Sequence, residues 1–208
     1  VERKGAGGEP TVYVIDDDPS IRELIVWLMK RDAIAVQAFA DARAFLEAYV
    51  PGTPGCLVLD LYLPGMSGLD LQRYLTEHGI EMPVVFLSGR ADVPQAVKAV
   101  KGGAIDFIEK PFDYRSMVAL VRDCLARDAE ARARRRRTAE AAARLASLTQ
   151  REREVLDRVV AGKLNRVIAE ELLISIKTVE AHRARIMEKL GVDSVAELVQ
   201  AALSARSP

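Results

Sequence analysis

One carboxylate, Asp60, stands at the exit of the apolar run CLVLD, and three more, Asp16, Asp17 and Asp18, stand at the exit of VYVI. If the two runs are parallel neighbours, these acids meet at one rim. Crowded carboxylates repel unless a cation sits among them, and an all-oxygen donor set suits Mg2+. A third run, VVFLS, ends in Ser88. A fourth, IDFIEKP, delivers Lys110 followed by proline, so that Lys110-Pro111 is a candidate cis peptide. Acids, one hydroxyl and one amine at four successive strand ends make a place where a carboxylate can receive a phosphoryl group. Taken singly, Asp18 reads as a helix cap, Lys110 as a solvated lysine, Phe107 as core and Ser88 as a turn residue. Their joint placement is what points to chemistry.

Strands are expected over 12–15, 35–39, 57–59, 84–87 and 105–108, short aliphatic runs of the kind buried on both faces of a parallel sheet. Helical stripes lie between them: Ile21, Leu24, Ile25, Leu28 and Met29; Phe45, Leu46 and Tyr49 behind a capping Asp41; Val93, Ala96, Val97 and Val100, stopped by Gly102-Gly103; and Met117, Val118, Leu120, Val121 and Cys124. Alternation of this kind gives a doubly wound α/β domain, whose ligand site lies beyond the carboxyl ends of the strands.

The chain has 208 residues, half of them hydrophobic, which suffices for two small domains. No apolar run approaches membrane-spanning length. The opening VERKGAGGEP lacks the apolar core of a signal peptide and reads as a flexible lead-in, residues 1–9. Cys56 and Cys124 have no metal-ligand spacing and read as buried thiols, consistent with a reducing, cytoplasmic setting. The net charge of zero hides an asymmetry. Residues 1–125 carry thirteen Lys and Arg against eighteen Asp and Glu, 126–147 seven against three, and 148–208 ten against nine.

VYVIDDDPSIR, CLVLDLYLPGMSGLDL and VVFLSGRADVPQAVKAVKGGAIDFIEKPF together resemble the receiver domain of two-component response regulators over residues 10–125, and SGRADVP with GGAIDFIEKPF resembles the FixJ-type branch. The resemblance implies a flavodoxin-like five-stranded parallel sheet of order 2-1-3-4-5. It implies that Asp60 is the phosphoacceptor. Asp16 and Asp17 would hold Mg2+, partly through water, with Asp60 and the Tyr62 backbone carbonyl, and Mn2+ would substitute. Lys110 would pair with Asp60 and then with the phosphoryl oxygens, Ser88 would hydrogen-bond a phosphoryl oxygen, and Phe107 would be the switch aromatic.

Residues 126–147, with RARRRR at 132–137, read as a basic helical linker. Fully helical, such a stretch spans roughly 33 Å. A basic arm on DNA phosphates is the sharper alternative, but charge runs are more often simply solvated. From Leu148 the pattern is helical throughout. Thr149 and Glu152 form a capping box, Gly162 ends the first helix, RVIAEELL is the second, Ser175 caps KTVEAHRARIMEKL, Gly191 closes it, and Ser194 with Glu197 opens a fourth with Leu198, Val199, Ala202 and Leu203. Four helices with a tight second turn suggest a helix-turn-helix reader.

LTQREREVL and NRVIAEELLISIKTVEAHRARIMEKLGV closely resemble a LuxR-type helix-turn-helix. That family places the third helix in the major groove. Ala181 and Ala184 would then allow close approach to thymine methyls, Glu180 would accept from cytosine N4, and Lys177, Thr178, His182, Arg183 and Arg185 would flank them toward phosphates. The whole chain is expected to be a FixJ/NarL-type transcription factor rather than an enzyme, apart from slow Mg2+-dependent self-phosphorylation and self-dephosphorylation. Its expected partners are a sensor histidine kinase, promoter DNA, a second copy once phosphorylated, and RNA polymerase. Two rivals remain at this level. A haloacid dehalogenase-type phosphohydrolase needs an acid two residues after its nucleophile, where this chain has Tyr62. A constitutive DNA binder would leave the set of Asp16, Asp17, Asp60, Ser88 and Lys110 without a purpose.

Overall fold

A computed structural model describes residues 8–89 and 93–204, with side chains in the last helix described up to Ala202. Most of the expected lead-in, residues 90–92 of the SGRADVP motif, and the Leu203 side chain lie outside the described residues. The chain divides into two compact units, the first ending at Ala131 and the second starting at Arg132.

The first unit is a five-stranded, all-parallel sheet. Its strands are β1 (Thr11–Ile15), β2 (Ala35–Phe39), β3 (Gly55–Asp60), β4 (Val84–Ser88) and β5 (Asp106–Glu109), in the order β2-β1-β3-β4-β5. Every residue of β1, β3 and β4 is buried, which is why these strands read as unbroken aliphatic runs rather than alternating ones. Helices α1 (Pro19–Arg31), α2 (Ala42–Ala48), α3 (Gly68–Glu77), α4 (Val93–Lys101) and α5 (Tyr114–Ala146) follow the strands. One core holds Tyr13, Phe45, Leu57, Leu59, Leu71, Leu75 and Phe86. The other, across the sheet, holds Val12, Val14, Ile25, Met29, Val58, Leu87, Met117, Val121 and both free cysteines. Burial pushes the Cys124 thiol up to about 11 and Cys56 higher still, so neither is a reactive thiolate.

Local rules account for the element starts. Asp18 caps α1 by accepting from Ser20 N at 2.8 Å, Asp41 caps α2 by accepting from Ala44 N at 2.8 Å, and Ser67 caps α3. Three features go beyond the sequence pattern. Leu24 and the α4 stripe of Val93, Val97 and Val100 face outward, and Ala99 alone is buried on α4. Periodicity finds an apolar face but does not say what covers it. In LDLQRYL polar residues dilute the apolar stripe, so its spacing carries no clear helix signal, yet α3 forms there. Finally, α5 runs without interruption from Tyr114 to Ala146, helical through the stretch expected to be a helical linker. Asp128, placed by the sequence in a solvated linker, is buried and accepts from Gly55 N at 2.9 Å.

The second unit packs α6 (Gln150–Val160), α7 (Asn165–Leu172), α8 (Ile176–Leu190) and α9 (Val195–Ser204) around Leu148, Val155, Leu156, Ile168, Val179, Ile186, Leu190 and Leu198, with Leu145 of α5 against them. Thr149 and Glu152 form the full capping box of α6, Ser175 caps α8, and Gly191 ends α8 in the left-handed region. At α9 the box is incomplete. Glu197 N donates to Ser194 Oγ at 3.2 Å, but the Glu197 carboxylate accepts from Asp193 N at 2.9 Å rather than from the cap residue.

Candidate functional site

Register assembles the acid pocket. Ile15 lies opposite Leu59 in the β1–β3 pair, so the next residues, Asp16 and Asp60, emerge side by side. Asp60 pairs with Leu87, and Ser88 with Glu109, so Ser88 and Lys110 emerge at the same rim one and two strands further on. The four side chains of the sequence reading therefore converge because four adjacent parallel strands end in step.

Asp16 is fully buried, Asp60 nearly so, and Asp17 is exposed. Carboxylate oxygens of the three lie within 4.8 Å of one another. The Asp18 carboxylate is not among them and caps α1. Lys110 Nζ donates to Asp16 Oδ2 at 2.6 Å and to Asp60 Oδ1 at 3.1 Å, so its shorter bond is to Asp16 rather than to Asp60. Asp16 Oδ1 also accepts from Asp18 N at 3.0 Å, which fixes its plane. Ser88 is buried at the end of β4, and its carbonyl accepts from Lys110 N at 2.7 Å. The Lys110-Pro111 bond is cis.

Electrostatics divides the roles. Burial pushes the Asp60 carboxyl above the ordinary aspartate range. The Lys110 hydrogen bond and charge pull the other way, and Asp16 and Asp17 add to the rise. For Lys110, burial works against the charged form, but its bonds to Asp16 and Asp60 outweigh that and raise its pKa, so the ammonium is retained. Two acids facing one ammonium, with a third exposed beside them, leave negative charge in excess. Hard oxygen donors at this spacing fit a divalent ion of the Mg2+ type. Close packing holds the strand end: a Cβ on Gly68 would meet the Asp60 carbonyl oxygen at 2.3 Å, so only glycine lets α3 start there. Tyr62 lies exposed two residues beyond Asp60, and Phe107 is half-buried against the core that holds Phe86.

The other candidate surface is α8. Val179, Ile186 and Leu190 are buried, leaving Lys177, Glu180, Ala181, Ala184 and Arg185 exposed on one side. Thr178, His182 and Arg183 are half-buried. Arg183 Nη1 donates to Asn165 Oδ1 at 2.8 Å, tying α8 to the start of α7, and the Thr178 and Ser175 hydroxyls lie 2.8 Å apart at the α8 cap.

Comparison with known proteins gives the pocket and the helix a common setting. Residues 12–122 match the response regulator receiver domain family, and residues 146–202 match the luxR family of bacterial regulatory proteins. The chain is 45% identical over 194 residues to the transcriptional regulatory protein FixJ of Azorhizobium caulinodans, covering 93% of this chain and 92% of that one. It is 42% identical over 193 residues to the transcriptional regulatory protein TdiR of Thauera aromatica, covering 93% and 85%. The solved structure of the response regulator StyR is 41% identical with a TM-score of 0.90, covering 95% of this chain and all of that one. Full-length FixJ from B. japonicum is 36% identical with a TM-score of 0.58, covering 96% and 98%. The chain belongs to the response regulators.

As a receiver joined to a LuxR-type DNA-binding domain, this response regulator is a transcriptional regulator of a two-component system, which implies a sensor kinase and DNA as partners. No helix among the described residues is long and apolar enough to cross a membrane. Two side chains of the regulator escaped the sequence reading. Asp128 gave no signal, being one acid in a charged helix. Gln72 is buried on the unread α3, where it donates to Ala99 O of α4 at 3.0 Å. A glutamine between apolar Leu71 and Leu75 was the available clue.

Proposed function

We propose that this response regulator is switched by phosphorylation of Asp60 and binds promoter DNA as a dimer. The observation that carries the reading is the bond of Lys110 Nζ to Asp60 Oδ1 at 3.1 Å, inside a ring of carboxylates at the carboxyl edge of the sheet. An Asp60 carboxylate oxygen attacks the phosphorus of a phosphohistidine on the kinase. The new C(O)O–P bond forms as the N–P bond breaks, and the imidazole nitrogen leaves with the electron pair. Asp16, Asp17, Asp60 and the Tyr62 backbone carbonyl are the groups that would hold Mg2+, with Mn2+ as a substitute. When bound, Mg2+ supplies neutralising charge beside the phosphoryl oxygens. Lys110, already an ammonium, is placed to follow the phosphoryl group, and the buried Ser88 hydroxyl to hydrogen-bond it. Phe107 then repacks.

Dimerisation uses the α4–β5–α5 side, in support of which Val93, Val97 and Val100 stand exposed in a row on α4. Two copies of α8 then read paired half-sites, with Lys177, Thr178, Glu180, Ala181, His182, Arg183, Ala184 and Arg185 as the contact set. RNA polymerase is the expected downstream partner. Buried unpaired Cys56 and Cys124 support a cytoplasmic setting. Self-dephosphorylation is the only turnover expected. The test is acetyl phosphate labelling with Mg2+. One phosphoryl group should be added, labile to hydroxylamine as an acyl phosphate is, and absent in Asp60→Asn. Full hydroxylamine-stable labelling of that variant would refute the assignment.

A further inference from the structure

The attachment of α4 is thin. Ala99 is its one buried residue, while Val93, Val97 and Val100 are exposed. One grip on the helix sits at its C-terminal end. The Ala99 carbonyl accepts twice, from Ala104 N at 3.0 Å and from Gln72 Nε2 of α3 at 3.0 Å. The Gln72 amide also lies close against Gly102, just past the helix. A Cβ built on Gly102 would meet Gln72 Oε1 at 2.7 Å, Cδ at 3.0 Å and Nε2 at 3.2 Å. Gln72 is 6% exposed, so losing its partner would strand a buried amide. The opposite end of α4 follows the segment that begins after Ser88, the hydroxyl of the acid pocket.

We infer that Gln72 is a positioning residue that clamps the C-terminal end of α4 and thereby sets how readily the unphosphorylated receiver presents the apolar α4 face. The inference rests on the phosphorylation reading above and deepens it by naming what restrains the switch before any phosphoryl group arrives. A helix with a single buried residue has little apolar packing to lose when it shifts, so a polar tie to a buried amide weighs more. Removing the amide donor lowers the free-energy difference between the resting arrangement and one in which α4 is displaced, and the population moves accordingly. Gln72 touches neither Asp60 nor any other member of the pocket in the hydrogen bonds that define it, so it acts through α4 alone.

Two variants of the full chain test this. Gln72→Leu removes the donor while keeping the volume. Gly102→Ala pushes the amide aside from the turn that follows α4, at a glycine whose backbone is not left-handed. Backbone amide exchange is read in the unphosphorylated protein, with acetyl phosphate labelling and sedimentation alongside. Both variants should speed exchange in α4 by about threefold to tenfold, the loss of one net hydrogen bond, with β1 and β3 unchanged. Both should show more dimer without phosphoryl donor and normal labelling of Asp60. Unchanged α4 exchange in Gly102→Ala, or exchange that rises equally in β1 and β3, overturns the clamp and leaves Gln72 a packing residue. Absence of label in the unsubstituted chain would instead strike the phosphorylation reading, whatever α4 does.

Discussion

At the scale of single residues, the pocket is a charge problem solved by placement. Asp16 is held by the Asp18 amide and Lys110, Asp60 by Lys110, and Asp17 stands free of both at the open side. A divalent ion should therefore depend on Asp17 more than on Lys110. Calorimetric titration should show Mg2+ or Mn2+ binding that weakens at least about tenfold in Asp17→Asn, since a full ligand charge is lost. Lys110→Ala should bind at least as well, because an ammonium repels the cation. Undiminished binding by Asp17→Asn would remove that residue from the site. A second residue-scale feature is strain. Leu173, between α7 and α8, has φ of 54° and is 92% exposed. An L-residue in the left-handed region costs about 1 kcal/mol with no packing here to offset it. Leu173→Gly should raise the unfolding free energy of the second unit by roughly that amount, read by denaturant titration. A loss of stability would mean that the leucine makes a contact its exposure does not reveal.

At the scale of elements, α6 illustrates how a cap becomes a cross-link. Glu152 accepts from Thr149 N at 2.8 Å and from Lys189 Nζ of α8 at 2.7 Å. The Lys189 bond, then the Thr149 backbone bond, hold its carboxyl at about 2, below its ordinary 4.5. Because the folded value is depressed, the stabilisation is complete above about pH 4.5 and disappears as pH falls through about 2. Glu152→Gln keeps the cap acceptor but loses the charge. Unfolding of the second unit, followed by the methyl resonances of Ile168 and Ile186, should lose its acid slope between these pH values in that variant. An unaltered slope would place the titration elsewhere. The elements also show what the sequence could disclose. Capping residues at Asp41, Thr149 and Ser175, and strand ends at Asp16, Asp60, Ser88 and Lys110, were legible because each rests on local chemistry. The outward α4 stripe, the burial of Asp128 and the Gln72 bond were not. Each depends on which partner lies across space, and no spacing along the chain records that.

At the scale of the whole molecule, the two units carry different chemistry: an acid pocket in one and an exposed helix of mixed polar and small residues in the other. On the reading proposed above, the state of Asp60 changes how α8 meets DNA. In that proposal dimerisation supplies the link. A second weak reader, once tethered to the first, binds at high effective concentration. The most direct measurement is the affinity of the full chain for a paired site, before and after acetyl phosphate with Mg2+, at one fixed salt concentration and with sedimentation on the same samples. The unsubstituted protein should move from monomer toward dimer and bind the paired site about a hundredfold more tightly. Its affinity for a single half-site should barely change, and Asp60→Asn should show neither effect. Stoichiometric phosphorylation of Asp60 with no change in assembly or in paired-site affinity would contradict the account.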